Sequence, residues 1–284
     1  MSSRLTADRP AGLLDFLTAE LQGWSRATIK QRLRAGCVVV NGEPVSRPDH
    51  LLAAGDQVEV LAVAKEGRRG GAPRLELLHA DGDLVVIHKP AGLLSVATER
   101  EQQRHALAML REQLSTPRRP VQLWPVHRLD RETSGVLLFA TSRTTREAVT
   151  ARWSEAEKVY LAVVEGSPSP SAGTIDQPLR MDAKGFRALA GPHADAKRAV
   201  THFSTQRTAK GRALLELRIE TGRQHQIRAH LAWLGHPVVG DARYGAAGRR
   251  LGLHALRLTI PDPRTGEALR FEAPAPCEFY SLLG

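Results

Sequence analysis

Val126-His127-Arg128-Leu129-Asp130-Arg131-Glu132-Thr133-Ser134-Gly135 runs directly into the apolar stretch Val136 to Ala140. Asp130 stands in a dense set with Arg128, Arg131 and Glu132, ahead of a turn that ends at Gly135 and a strand over 136–139. A second polar segment, Glu220-Thr221-Gly222-Arg223-Gln224-His225-Gln226-Ile227-Arg228-Ala229-His230, opens a helix after a strand. Connections of this kind commonly carry sites. Each segment also has a plain alternative. An aspartate among arginines can belong to a structural ion-pair network, and Arg223 and Arg228 can simply hold phosphates, as arginines of basic proteins do.

Working outward, strand-like runs dominate the rest of the chain. Leu75–Leu78, Leu84–Ile87, Val136–Phe139, Val159–Val164, Val200–Thr205, Leu214–Ile219, Leu253–Ile260 and Leu269–Phe271 have strand character. Helical spacing fits Gln103–Leu114, Arg143–Trp153 and His225–Leu234. Strands outnumber helices without alternating strictly with them. This predicts an α+β domain with a mixed, largely antiparallel sheet rather than a doubly wound one.

Upstream, Ala64 to Arg74 holds three glycines and a proline with no large apolar residue, which reads as a flexible linker. The expected domains are therefore 1–63, the linker 64–74, and 75–284. In the first, Gly12 to Gln22 has helical spacing. Ser25 is a good N-cap for a second short helix, with Trp24 and Ile29 placed as a hydrophobic staple and Gly36 as its C-terminal cap. Asn41-Gly42 between apolar runs signals a hairpin, and Gln57 to Val63 alternates like a further strand. The span Ser25 to Gly42 contains no acid but carries Arg26, Lys30, Arg32 and Arg34. That pattern fits an RNA-binding face; a solvated helix surface beside a hairpin is the plainer alternative.

The chain has 284 residues and a formal net charge of +10. Residues 1–66 hold eight basic and eight acidic side chains, so the surplus lies downstream, and 180–230 alone has eleven basic against four acidic residues. Such a surplus suits an anionic partner, nucleic acid first. The two cysteines, Cys37 and Cys277, share no zinc or redox spacing and make no disulfide scaffold, so a reducing, cytoplasmic setting is the simpler expectation. The N-terminus lacks the apolar core of a secretory signal, and no run approaches the roughly 20 apolar residues of a membrane span.

Several chemistries have no sequence support. No phosphate loop or dinucleotide fingerprint is present, and Ser134-Gly135 lacks the preceding glycine of a nucleophile elbow. His225 and His230 are five apart rather than the four that would place them on one helical face. The expectation is a mechanism with no metal and no cofactor.

Taken together, the two polar segments resemble the RluA-type RNA pseudouridine synthases. The family segment around the catalytic aspartate is matched by His127 to Gly135, and the segment rich in glycine, arginine and histidine by Thr221 to His230. Lys158, Tyr160, Ala162, Val164 and Gly166 approximate a third segment. Lys89-Pro90-Ala91-Gly92, then His236-Pro237 with Gly240-Asp241 and Tyr244-Gly245, and Leu253-His254-Ala255 extend the likeness. The segment of about 50 residues that holds the two helices, the hairpin and the further strand of the first domain resembles the small RNA-binding module of a small-subunit ribosomal protein.

The resemblance implies the pseudouridine synthase fold and the isomerisation of uridine to pseudouridine within RNA, without a cofactor. The glycosidic bond breaks, uracil turns in the pocket, and its carbon 5 rejoins the ribose. Asp130 corresponds to the catalytic carboxylate, attacking the ribose or removing a sugar proton, and Arg228 to the cation paired with it. Tyr160 corresponds to the aromatic that stacks on the base, Ile227 to the apolar residue on its other face, and Arg128 to the residue filling the gap left by the flipped nucleotide. Arg223 is expected to touch phosphate or to shape its loop. His127, Thr133 and Ser134 are expected to shape the turn. The expected partner is ribosomal RNA, with transfer RNA as the alternative, and the protein is expected to act as a monomer away from membranes. A non-catalytic RNA-binding or ribosome-assembly factor is the rival reading, and an RNA hydrolase a third. Leu123-Trp124-Pro125-Val126 stands where relatives acting on large-subunit rRNA often carry Arg-Pro-Gly-Ile, and Leu-Leu-Ser-Val-Ala follows Gly92 where a segment with histidine is usual. These departures bear on the RNA target rather than on the catalytic set.

Overall fold

The computed structural model describes residues 3–21, 24–34, 37–45, 47–60, 74–99, 101–184 and 186–283. The chain forms two compact units, one of residues 1–65 with 275–284 and one of 66–274. The expected linker, 64–74, lies outside the described residues except for Arg74. The last ten residues group with the first unit, whereas the sequence reading assigns them to the second.

In the first unit, helices Leu13–Glu20 and Arg26–Arg34 accompany a four-stranded antiparallel sheet. Its strands run in the order Ser3–Thr6, Gln57–Val60, Val38–Val40, Glu43–Pro44. Leu13, Leu14, Phe16 and Leu17 recur at helical spacing and pack with Ile29, Leu33, Val38, Val40, Val58 and Val60 in one core. The Ser25 Oγ accepts from the Thr28 N–H at 3.1 Å, the expected N-cap. Asn41 and Gly42 both have positive φ, 51° and 84°, as a two-residue primed hairpin turn requires. The expected cap at Gly36 lies outside the described residues.

The short C-terminal helix Cys277–Tyr280 belongs to this unit, and Cys277 is disulfide-bonded to Cys37 with their Cα atoms 4.8 Å apart. This corrects the reading of the cysteines as unrelated. They are 240 positions apart, so no spacing rule could pair them; only the fold brings them together.

The second unit is built on a ten-stranded sheet. Its main path runs Ala172–Asp176, Val200–Ala209, Arg212–Ile219, Glu157–Glu165, Leu253–Pro261, Ser134–Ala140, Leu84–Lys89, Glu76–Ala80, with Ala268–Glu272 and Trp124–Pro125 paired alongside. Every pairing on this path is antiparallel except that of Ser134–Ala140 with Leu253–Pro261, which is parallel and two residue pairs long. The mixed, largely antiparallel α+β sheet is therefore as expected.

Period-two alternation supplies both faces of the sheet. Val85, Ile87, Leu137 and Phe139 pack with Ala106, Leu107 and Leu110 of helix Ala106–Leu114. Their alternates Leu84, Val86, Val136 and Leu138 pack with Val149 of helix Arg143–Ala151, which Ser142 caps through the Thr145 N–H at 3.0 Å. Helix Gln226–Trp233 lays Ile227 and Leu231 against Ala162, Val164, Leu215 and Leu217. The short strands Leu179–Met181 and Ala188–Ala190 form a separate hairpin that sequence periodicity did not announce.

The parallel junction imposes one steric condition. Gly135 lies beside Ala255 at φ +119°, and a Cβ there would strike the Ala255 carbonyl. Gly92 also has positive φ, +83°, but open space around it. Gly135→Ala is therefore expected to lower the unfolding free energy by about 3 kcal/mol or more, combining backbone strain with overpacking. Gly92→Ala carries the strain alone and should cost about 1 kcal/mol. Urea unfolding of the two variants measures the difference.

Candidate active site

The loop that carries Asp130 is tied down from several directions. Ser95 Oγ donates to the Leu129 carbonyl at 2.8 Å and accepts from the Leu129 N–H at 3.0 Å. The Gly92 N–H donates to the Arg131 carbonyl at 2.9 Å, and the Thr133 N–H to the Asp130 carbonyl at 3.2 Å. Lys89, fully buried, directs its ammonium at the carbonyls of Leu93, Pro90 and Arg131 at 2.7, 3.0 and 3.1 Å. Burial pulls the Lys89 pKa down to about 7, against the opposing charges of Glu132 and Asp130. Three carbonyl acceptors for three donors favour the ammonium. The backbone on both sides of Asp130 is thus held by groups that take no part in its side-chain contacts.

His127 and Ser134, at the two ends of the same loop, bond into the structure. His127 Nε2 accepts from the Leu138 N–H at 3.1 Å, and its ring stacks on Trp153. Burial, with Lys158 nearby, lowers its pKa to about 4 and keeps it neutral. His254 donates from Nε2 to the Ala273 carbonyl at 2.7 Å, so its Nδ1 accepts from the Ser134 hydroxyl at 2.9 Å.

Arg228 faces this loop from helix Gln226–Trp233. The entry to that helix is locked by Gln226, whose amide donates to the Val200 carbonyl and Thr201 hydroxyl and accepts from the Thr221 hydroxyl and the Arg223 N–H. Arg228 is buried and divides its guanidinium between two carboxylates. Nε and Nη2 each donate to Asp241 at 2.7 Å, while Nη1 donates to Asp130 Oδ2 at 3.1 Å. Burial acts to lower the Arg228 pKa, but Asp241 and then Asp130 outweigh it and raise it. Burial pushes the Asp241 carboxyl up; Arg228 and the N–H groups of Arg243 and Tyr244 overcome that and hold it below its ordinary range.

Beneath the guanidinium lies the Tyr244 ring, 5.3 Å from Arg228 Cζ. Tyr244 Oη accepts from the Ala188 N–H at 2.6 Å and is hydrogen-bonded to His225 Nδ1 at 3.1 Å. The other ring nitrogen, Nε2, faces Asp130 Oδ2 at 3.8 Å. His225 itself has left-handed backbone, φ 54°, at the start of the helix.

These groups border a cleft of about 470 Å³. Asp130, Arg228, Tyr160, Ile227, Arg128 and Arg223 all lie on its walls, so the residues singled out in three separate sequence segments meet in one place. Tyr160 comes from strand Glu157–Glu165, where the pairing with Leu253–Pro261 shifts register between Val159 and Tyr160. Burial and the Asp130 charge both raise its pKa, so it stays a neutral phenol. Ile227 is buried, while Arg128 and Arg223 are exposed. A larger groove of about 1210 Å³ shares Asp130 and Arg228 and adds Arg131, Arg243, Arg249 and Arg250. In the first unit, Arg26 and Lys30 are exposed, Arg26 pairs with Asp15 at 2.8 Å, and the Arg32 guanidinium lies 4.8 Å from the centre of the Trp24 ring. The Arg34 side chain is outside the described residues. Among the described residues no group of three or more His, Cys, Asp or Glu is placed to hold a metal ion, and no helix is long and apolar enough to cross a membrane.

Residues 83–233 match the RNA pseudouridylate synthase family. The chain belongs to that family. Residues 12–58 match the S4 domain. An uncharacterized RNA pseudouridine synthase, YlyB, of Bacillus subtilis is 33% identical over 94% of this chain and 91% of its own length. Ribosomal large subunit pseudouridine synthase D of Vibrio cholerae is 32% identical over 95% of this chain and 89% of its own. Among solved structures, human RNA Pseudouridylate Synthase Domain Containing 4 aligns with a TM-score of 0.60 at 28% identity, covering 73% of this chain and 92% of that one. The protein is an RNA pseudouridine synthase, an isomerase with an RNA-binding S4 domain.

Within this synthase, Asp241, Tyr244, His225 and Lys89 surround the Asp130–Arg228 pair without having been assigned a part in it. Asp241 and Tyr244 stand in Gly240-Asp241 and Tyr244-Gly245, and Lys89 in Lys89-Pro90, so motif matching marked their positions but gave no partner. Asp241→Ala strands a buried guanidinium and is expected to cost about 3–5 kcal/mol in chemical denaturation. The Asp241 carboxyl is depressed in the folded state. Its stabilisation is therefore complete above the ordinary aspartate range near pH 4 and lost as pH falls through the lower folded value. Acid unfolding of Asp241→Asn should accordingly be shallower than that of the unsubstituted protein.

Proposed function

We propose that this synthase converts uridines of large-subunit ribosomal RNA to pseudouridine, with Asp130 as the catalytic carboxylate and no cofactor. The observation that carries the assignment is the single buried cation between two carboxylates. Arg228 donates twice to Asp241 and once to Asp130, so a buried guanidinium stands against Asp130 at a cleft that also holds Tyr160 and Ile227. Arg228 meets Asp130 at Oδ2, and His225 approaches the same oxygen. Among the described residues Oδ1 accepts no hydrogen bond and is the oxygen available to the ribose.

The reaction asks three things of the chain. An ionised oxygen must stand at the sugar, which Asp130 supplies. The freed uracil must stay in the cleft while it turns; Tyr160 and Ile227 offer an aromatic and an aliphatic wall for its two faces. The target nucleotide must leave its stack, at a cost of about a few kcal/mol, and Arg128 at the exposed edge of the cleft can occupy the vacated space. None of these steps needs an oxidant or a group carrier, because the product is an isomer of the substrate.

Ribosomal RNA is favoured as substrate by the relatives that are named for large-subunit modification and match nearly the whole chain. The S4 domain supports a structured RNA, with Arg26, Lys30 and Arg32 of its second helix as the groups proposed to meet phosphate.

Chemical labelling of pseudouridine in total RNA, with and without the gene, should show sites missing from large-subunit rRNA. Losses confined to transfer RNA would reassign the substrate. Asp130→Asn is expected to abolish conversion while RNA binding stays within a few-fold; comparable turnover by that variant would remove Asp130 from the mechanism. The double substitution Arg26→Ala, Lys30→Ala should flatten the salt dependence of RNA binding by about 0.7–0.9 units of slope for each phosphate no longer neutralised. Binding titrations from low to moderate salt measure it.

A further inference from the structure

A second cleft, of about 670 Å³, adjoins the one at Asp130 and shares Gly222 and Arg223 with it. It lies under the hairpin Leu179–Met181 with Ala188–Ala190. Leu179, Met181 and Ala188 form an apolar lining, and Arg180, Lys197 and Gln224 add polar groups. Leu179 and Ala188 are buried, whereas Lys197 and Gln224 are exposed. Three basic side chains against one acid, Asp195, leave its wall positive.

This cleft is built from fixed backbone. Leu179 and Lys197 exchange two main-chain hydrogen bonds, at 2.8 and 2.9 Å. The Ala188 N–H donates to Tyr244 Oη, the same hydroxyl that is hydrogen-bonded to His225, on the ring that underlies Arg228. One hydrogen bond therefore separates the lining of the second cleft from the residues that position Asp130.

Arg223 stands on both clefts and is pinned there. Its main-chain N–H donates to Gln226 Oε1 at 3.0 Å, and its Nε to the Arg198 carbonyl at 3.1 Å. Its two terminal nitrogens meet no acceptor among the described residues. A fixed guanidinium with free donors, set between two concave surfaces that each combine apolar walls with polar groups, has the chemistry of a dinucleotide site. Two heterocycles occupy the concavities and the phosphodiester joining them meets the fork. Unstacked bases are held in this way, on apolar walls with hydrogen bonds at their edges.

We propose that the cleft under the 179–190 hairpin takes the base of the nucleotide next to the target uridine, and that Arg223 holds the phosphate between the two. This rests on the RNA-modifying reading above and adds a second nucleotide to it. Arg223 is thereby a substrate-binding residue, and the residues 179–197 become determinants of sequence context.

The test uses the full-length protein and an rRNA fragment containing a uridine that it converts. Conversion of the intact fragment checks the functional reading separately. Abasic nucleotides are then placed singly on each side of the target. Removal of one neighbouring base, and not the other, is expected to lower kcat/KM by about 10-fold or more, in line with the loss of one stacked base. Arg180→Ala combined with Lys197→Ala should lose a similar factor on intact RNA and little further on the abasic substrate. In a second arm, a neutral methylphosphonate replaces the linkage between target and neighbour. It should cost the unsubstituted protein as much as Arg223→Ala does on normal RNA, the two losses should not multiply, and Arg223→Lys should recover part of the activity on the charged linkage. The proposal is overturned if neither abasic substitution costs more than twofold, or if the losses multiply in either arm. Melting temperatures of all variants separate misfolding from weakened RNA recognition.

Discussion

The Arg228 guanidinium is the point on which three loops converge. It is buried, and a buried cation without partners would be expelled or would unfold its surroundings. Asp241 answers with both oxygens and Asp130 with one, so the 126–133, 221–228 and 240–244 segments are fastened to a single group. The division is unequal. Asp241, fully buried and held by two backbone N–H groups besides, behaves as the structural counter-ion. Asp130, one-fifth exposed, keeps an oxygen for other work. Two carboxylates on one guanidinium leave the cluster with a net negative charge, which an enzyme needing an ionised carboxylate can use and a plain RNA-binding surface would not.

The sheet brings that cluster into being. Its one parallel junction places the chain end of the Asp130 loop next to Leu253–Pro261, and only glycine fits at 135. The next strand outward, Glu157–Glu165, delivers Tyr160 at a register shift, a local irregularity that turns a side chain away from the regular alternation. The strand beyond, Arg212–Ile219, leads through the loop 220–225 into helix Gln226–Trp233, and that helix supplies Ile227 and Arg228. Three elements thus contribute the site: the loop before Ser134–Ala140 the carboxylate, Glu157–Glu165 the aromatic wall, and helix Gln226–Trp233 both the aliphatic wall and the cation.

The basic surplus works at longer range. All of it lies downstream of residue 66, and the groove beside Asp130 is lined by Arg131, Arg243, Arg249 and Arg250. A concave positive surface concentrates a polyanion at the mouth of the site before any base is read. The exposed arginines of the groove are thus distinct from the half-hidden Asp130–Arg228 pair beside it.

Much of this was written locally. Strands Leu84–Lys89, Ser134–Ala140, Glu157–Glu165, Val200–Ala209, Arg212–Ile219, Leu253–Pro261 and Ala268–Glu272 and helices Ala106–Leu114, Arg143–Ala151 and Gln226–Trp233 follow from local apolar patterns, and the Asn41-Gly42 turn and the Ser25 cap from side-chain chemistry within a few residues. Asp130, Tyr160, Ile227 and Arg228 were legible because each lies inside a contiguous motif whose order carries information. Three things were not. The strands around 172–190 are short and weakly patterned, so nothing local distinguishes them from loop. Cys37 and Cys277 meet across 240 positions. Asp241 and Tyr244 acquire their roles from Arg228 and His225, residues on another element. Sequence determined which side chains could do the chemistry, because residue type and local order set acidity, shape and helix or strand preference. The tertiary structure alone decided which of them share a proton, a charge or a wall, because those relations depend on distances of a few ångströms between segments far apart along the chain.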